Sequence, residues 1–213
     1  MELSKWGHSC VRMVDHDVTV VIDPGGWSDV AGALDGADHV LVTHEHADHL
    51  AVDRVAAWLA HAPQAQVHGP AAALAPLEEA GVSPERLNAV QPGDRLDLNG
   101  LVVLVGGGTH AEIHPDVPRP ANVGYLVGPV WHPGDSVDTP PEPARVLLVP
   151  AGAPWLRLAD AVELVRAVRP ELAIPIHDAI YSGQGTGLAD SLLSRLGGAG
   201  EYRRTTSGET LTV

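Results

Sequence analysis

Short runs of alternating apolar and polar residues fill the first forty positions. Val11–Val14 and Val18–Ile22 are rich in β-branched residues and flank the polar turn Asp15–Asp17, which predicts a hairpin. The second run ends in Asp23-Pro24-Gly25-Gly26, a loop signal. His39–Thr43 is a short apolar run that reads as a buried strand, and its end delivers the sequence THEHADHL. Asp53–His61 and Ala71–Ala80 then carry helical spacing, closed by Pro63 and Gly81, with a short strand at Val67-His68 between them. Leu96–Leu98 and Leu101–Val105 form a second hairpin across Asn99-Gly100, a strong two-residue turn signal. Val123–Val127 and Val130–His132 make a third, running into Pro133-Gly134-Asp135. Arg145–Val149 reads as another buried strand. Leu158–Val168 reads as a helix with apolar residues at 158, 161, 162, 165 and 168. Leu172–Ile176 is a strand leading straight to His177, Leu188–Leu196 a helix, and Tyr202–Val213 a closing pair of strands.

Each half of this order is a β-meander followed by strand–helix units. The pattern predicts an α/β fold of two sheets packed face to face with helices outside. No linker divides the chain, so residues 1–213 are expected to form one domain.

Composition narrows the function. The formal net charge is −14, which repels phosphate backbones and argues against a nucleic-acid partner. Two divalent cations would return positive charge locally, so a pocket could still attract an anionic small-molecule substrate. The single cysteine, Cys10, permits no internal disulfide and points to a reducing, cytoplasmic compartment. No apolar run approaches the length of a membrane span, and no signal peptide opens the chain. No heptad pattern or interface stripe fixes the oligomeric state.

The placement of the twelve histidines is the informative feature. His44, His46, Asp48 and His49 fall within six residues directly after a strand. In such a loop positions i and i+2 can converge on one metal, while i+4 and i+5 turn to a second. Imidazole suits zinc, iron or manganese, and carboxylate the harder of these. His110 follows a strand and three glycines, Asp135 follows the strand at Val130–His132, and His177 ends another. All three stand at strand ends, where rigid elements present functional groups.

That order of ligands resembles the metallo-β-lactamase-fold hydrolases, over nearly the whole chain. The resemblance implies a four-layer αββα sandwich with the metals at one edge between the sheets. It implies that His44, His46 and His110 hold one metal, that Asp48, His49 and His177 hold the other, and that Asp135 bridges them. Within the family the chain is similar to the small members related to L-ascorbate-6-phosphate lactonase, through Gly7-His8-Ser9, Asp23-Pro24, the HPGDS segment at Asp135 and PIHD at His177. It departs from the β-lactamases proper, some of which place a cysteine where Asp135 stands. His46 departs from the HxExDH pattern of flavodiiron oxidoreductases. No chain remains for the extra helical domain of glyoxalase II enzymes.

The expected cofactor is therefore a pair of divalent ions, zinc ahead of manganese and iron. The expected chemistry is attack by a metal-bridging hydroxide on a small ester, lactone or phosphoester. Asp135 would hold the pair together, and Asp48 would orient the hydroxide or carry its proton. Alternatives are a dedicated phosphodiesterase and a metal-binding protein without turnover. Around the ligands, Asp23 could accept from a histidine's free N–H or simply form a turn before Pro24. His8 could lie beside the metals or on the surface. His114 and Arg119, in the Pro-stiffened loop 111–122, could receive an anionic group, Trp155 could wall the pocket, and Asp178 could serve as an outer group.

Overall fold

The computed structural model describes all residues, 1–213. Three antiparallel strands open the chain: β1 (Glu2–Lys5), β2 (Val11–Asp15) and β3 (Val18–Ile22). Parallel strands β4 (His39–Leu41), β5 (Gln66–Gly69) and β6 (Leu87–Ala89) continue the same sheet. Its crossovers carry the helices α1 (Val30–Leu34), α2 (Val52–Leu59) and α3 (Ala71–Glu79). A second antiparallel meander follows: β7 (Arg95–Leu98), β8 (Leu101–Gly107), β9 (Val123–Val127) and β10 (Val130–His132). It continues in parallel through β11 (Val146–Pro150), β12 (Leu172–Ile176) and β13 (Glu201–Tyr202), with α4 (Leu158–Val168) and α5 (Gly183–Leu196) as crossovers. Strand β14 (Thr210–Thr212) then returns to pair with β1.

Two seven-stranded mixed sheets result, ordered β14-β1-β2-β3-β4-β5-β6 and β13-β12-β11-β10-β9-β8-β7. Alternation along each strand sorts its side chains. Val20, Ile22, Leu41, Val146 and Leu148 point into a core between the sheets. Val21, Val40 and Val67 pack outward under α1, α2 and α3. Leu147 and Val149 pack outward under α4 and α5. Strands buried on both faces read as unbroken apolar runs, which is how β4 and β11 look in the sequence. These cores define the expected αββα layering.

Three local expectations need correction. The closing segment is not a pair: β13 lies parallel to β12 while β14 joins the other sheet. Helix α5 begins at Gly183, five residues before the apolar pattern starts. Its first turn is glycine-rich, and the Ser182 side chain caps it by accepting from the Gly185 N–H. Helix α1 has no counterpart in the sequence reading, because a single five-residue turn is too short to show a helical period. No helix is long and apolar enough to cross a membrane.

Strands β3, β4, β8, β10, β11 and β12 all point their C-terminal ends at one edge of the sandwich. The segments leaving those ends carry Asp23, His44, His110, Asp135, Trp155 and His177.

Candidate metal centre

The turn from His44 to His49 is held by its neighbours. Gly26 N–H donates to the Ala47 carbonyl at 2.7 Å. A Cβ on Gly25 would stand 1.7 Å from the Asp48 carbonyl oxygen, so only glycine allows this approach. Asp23 and His177 both adopt the left-handed backbone region, at φ of 51° and 54°. Non-glycine residues rarely do so, and such strain persists where surrounding structure imposes it.

Hydrogen bonds at the outer nitrogens fix which ring atoms face inward. His49 Nδ1 donates to Asp23 Oδ2 at 2.6 Å. His110 Nδ1 donates to the Ala111 carbonyl at 2.6 Å, and His177 Nδ1 to the Gly152 carbonyl at 2.8 Å. Thr43 Oγ1 donates to Asp23 Oδ2 at 2.7 Å, so it accepts from His44 Nδ1 at 3.0 Å. With the proton held outside, each neutral ring presents a bare Nε2 lone pair to the interior.

The inward atoms converge. His44 Nε2, His46 Nδ1, His110 Nε2 and an Asp135 oxygen form one group in which all members lie within 4.8 Å of one another. His8, Asp48, His49 and His177 form a second. Asp135 stands between them: Oδ1 is 2.9 Å from His49 Nε2, and Oδ2 is 3.2 Å from His110 Nε2 and 3.0 Å from His177 Nε2. Yet His49 Nε2, His110 Nε2, His177 Nε2 and Asp135 Oδ1 are buried without a hydrogen-bond partner. Lone pairs facing a carboxylate at these distances are repulsive unless a cation lies among them. Ligands about 2.0–2.1 Å from a tetrahedral ion sit roughly 3.3 Å apart, and the observed 3.0 Å for His44–His46 and 3.6 Å for His177–Asp48 bracket that value. The residues present therefore fit divalent cations.

Electrostatics agree. Burial pushes the pKa of His44 well below that of a free imidazole, aided by the neighbouring His49, and lowers that of His46. Burial opposes ionisation of Asp135, but His49, with His110 and His177 close by, holds its carboxyl well below the usual range. Burial likewise opposes charge on Asp48, but His8 and His49 close by bring it down to about 2. His49 would be neutral from burial alone, but Asp135 and Asp23 on either side raise its pKa well above the ordinary value. Two ionised carboxylates among mostly neutral imidazoles leave a negative interior that a cation would neutralise.

The outer residues divide. Asp23 accepts from His49 and Thr43, as one of its two sequence readings had it. His8 is buried, and its Nδ1 accepts from the Ala179 N–H at 3.2 Å. Its Nε2 lies 3.3 Å from Asp48 Oδ2, buried without a hydrogen-bond partner like the Nε2 atoms of the ligand rings beside it. Trp155 does more than wall the pocket, because its Nε1 donates to Asp135 Oδ2 at 2.9 Å. Arg119 and His114 both lie on the exposed loop that follows His110. Arg119 Nε is held by the His110 carbonyl at 2.9 Å, and His114 is exposed beside Asp116. Asp178 touches no ligand histidine in this arrangement; it is neutralised by Lys5 at 2.9 Å and by Arg204. Two positioning residues escaped the sequence reading. Thr43 orients His44, and buried Asn122 accepts from the Asp135 N–H at 2.9 Å while donating to the Pro133 carbonyl. Neither carries a local signal, because the Asp23 carboxylate that fixes Thr43 lies 20 residues away and the partners of Asn122 are backbone atoms.

Residues 2–177 match the beta-lactamase superfamily domain. The chain belongs to that family. Protein Rv0786c of Mycobacterium tuberculosis is 38% identical over 194 residues, covering 88% of this chain and 89% of the relative. A UPF0173 metal-dependent hydrolase, MJ1163 of Methanocaldococcus jannaschii, is 26% identical over 187 residues, covering 81% and 82%. Among solved structures, the metallo hydrolase Igni18 of Ignicoccus hospitalis superposes with a TM-score of 0.74 at 20% identity, covering 99% of this chain and 97% of that one. That likeness extends the shared fold over both sheets.

Proposed function

We propose that this metal-dependent hydrolase of the beta-lactamase superfamily is dinuclear and acts on a small ester, lactone or phosphoester. The observation that carries the reading is the set of buried Nε2 atoms of His49, His110 and His177 that lie 2.9 to 3.2 Å from Asp135 without a hydrogen-bond partner. His44, His46 and His110 would hold one ion, Asp48, His49 and His177 the other, with Asp135 shared. Five imidazoles and two carboxylates favour zinc, with manganese and iron as alternatives. Such a pair supplies an ionised water near neutral pH and polarises the electrophile.

The chain's own residues do the rest. Asp48 is half-buried and ionised, with Oδ2 3.3 Å from His8 Nε2. Its Oδ1 is left to orient the attacking water and take up its proton. Trp155 Nε1–H and the Asn122 side chain hold Asp135 from opposite ends, so the shared carboxylate cannot turn away. Asp23 and Gly152 keep His49 and His177 in the ligand tautomer. A small-molecule substrate, no nucleic-acid partner and a cytoplasmic location complete the reading, supported by the −14 charge and the lone, buried Cys10.

The test is metal analysis of protein purified without added metal, alongside hydrolysis of phenyl acetate, a lactone panel and bis-p-nitrophenyl phosphate. About two equivalents of metal per chain and turnover of one class support the reading. Absence of metal after zinc and manganese are supplied would overturn it.

A further inference from the structure

Eight large apolar residues are exposed on this chain, and six of them stand on segments at the metal end: Trp27, Ile113, Val117, Val137, Ile180 and Tyr181. The other two, Leu188 and Leu196, lie on α5. Solvent-facing apolar side chains gathered round one site mark a binding surface more than scattered ones do. Several are tied to the centre by direct contact. The Trp27 ring lies 4.9 Å from His8, which in turn lies 4.0 Å from His177. Trp155 packs edge-on to His110 and His177 at 5.9 and 5.7 Å. Tyr181 rests over Gly152, where a Cβ would come within 2.5 Å of its ring, and the Gly152 carbonyl holds His177. Ile113 and Val137 follow His110 and Asp135 by three and two residues.

Charge at the same rim is one-sided. Positions 23–53, 105–118, 120–144 and 177–194 contain no lysine or arginine. The intervening Arg119 is directed at the His110 carbonyl, and Lys5 and Arg204 are paired with Asp178. Exposed carboxylates are present, at Glu45, Glu112, Asp116 and Asp138. A polyanionic substrate would find one exposed guanidinium, Arg119, set among these carboxylates.

Resting on the hydrolase reading, we infer that the substrate is an uncharged ester or lactone whose alkyl or aryl substituent lies on the apolar rim formed by Trp27, Ile180 and Tyr181. Hydrolysis breaks the acyl C–O bond: water adds its oxygen to the carbonyl carbon, and its protons pass to the leaving oxygen and to the released acid. Trp27, Ile180 and Tyr181 themselves offer a phosphate no side-chain cation.

The experiment measures kcat/KM of the zinc-loaded protein for p-nitrophenyl acetate, butyrate, hexanoate and octanoate, and for bis-p-nitrophenyl phosphate, subtracting the rate of Asp135→Ala. The expected result is a rise of about two- to fourfold per added methylene, the range for partial to full burial, and a lower value for the phosphodiester than for every ester. Trp27→Ser with Ile180→Ser should flatten the chain-length series, while Leu188→Ser should leave its slope unchanged. A flat or falling series, or preference for the phosphodiester, overturns the inference and leaves the hydrolase reading standing. So does a change of oligomeric state in the Trp27 and Ile180 variants with the slope intact, which would mean that a second copy covers the rim. No turnover of either class by protein carrying two metals overturns both.

Discussion

Two clusters of buried imidazoles lie between the sheets, and only one is built to hold metal. At the carboxyl edge, five rings surround Asp135 and Asp48, and outer acceptors hold their far protons. Near the start of β4, His39 Nδ1 and His68 Nε2 meet at 3.3 Å, with Asn99 Nδ2 3.4 Å from His39 Nε2. There one ring nitrogen meets the other, no carboxylate joins the pair, and His68 Nδ1 is left without a partner. Burial lowers both pKa values, that of His68 to about 4. The contrast teaches that burying imidazoles does not make a metal site. A central carboxylate and fixed tautomers do.

The largest effect should come from removing that carboxylate. Asp135→Ala is expected to lower kcat/KM by about three orders of magnitude or more and to release at least one of two metals, as read by elemental analysis. His39→Gln, at the other cluster, should change neither. Asp23→Asn tests the fixed tautomers: losing the carboxylate behind His49 should weaken metal binding about 10- to 100-fold in a competition titration. Trp155→Phe keeps the ring and deletes the N–H to Asp135, a hydrogen bond to a charged group, so kcat/KM should fall about tenfold. Unchanged kinetics would reduce Trp155 to packing.

The smallest effect at neutral pH belongs to the His39–His68 pair. His68 takes up its proton near pH 4 when folded and near 6.5 when unfolded. Between those values the unfolded chain binds more protons, so stability falls as pH falls through this window and is unaffected above it. His68→Leu should remove part of that loss, about 2 kcal/mol at pH 5, in urea unfolding at pH 7 and pH 5. The two proteins should differ little in activity at pH 7.

How far this contrast could be read in advance depended on distance along the chain. His44, His46, Asp48 and His49 announce themselves because four ligand types share six residues after a strand. His110, Asp135 and His177 followed from their positions at strand ends, and the helix Leu158–Val168 and the Asn99-Gly100 hairpin from periodicity and turn chemistry. His39 and His68 drew no role and have none at the centre. The tautomers were legible only in part: Asp23 offered itself as an acceptor for a histidine, but the acceptor behind His177 is a backbone carbonyl at residue 152. Trp155 was visible only as bulk, since its partner lies 20 residues away. Arg119 and His114 were legible as loop charge but not as direction: both are exposed, and Arg119 gives its Nε–H to the His110 carbonyl. The pairing of β14 with β1 joins the two ends of the chain, which no local pattern can reveal.

Calorimetric titration of metal-stripped protein with zinc chloride tests the central claim most directly. The account predicts about two equivalents per chain in the wild type, a lower stoichiometry in Asp135→Ala, and an unchanged one in His39→Gln. Binding of less than one equivalent to the wild type, or a stoichiometry that drops with His39 and not with Asp135, would contradict it.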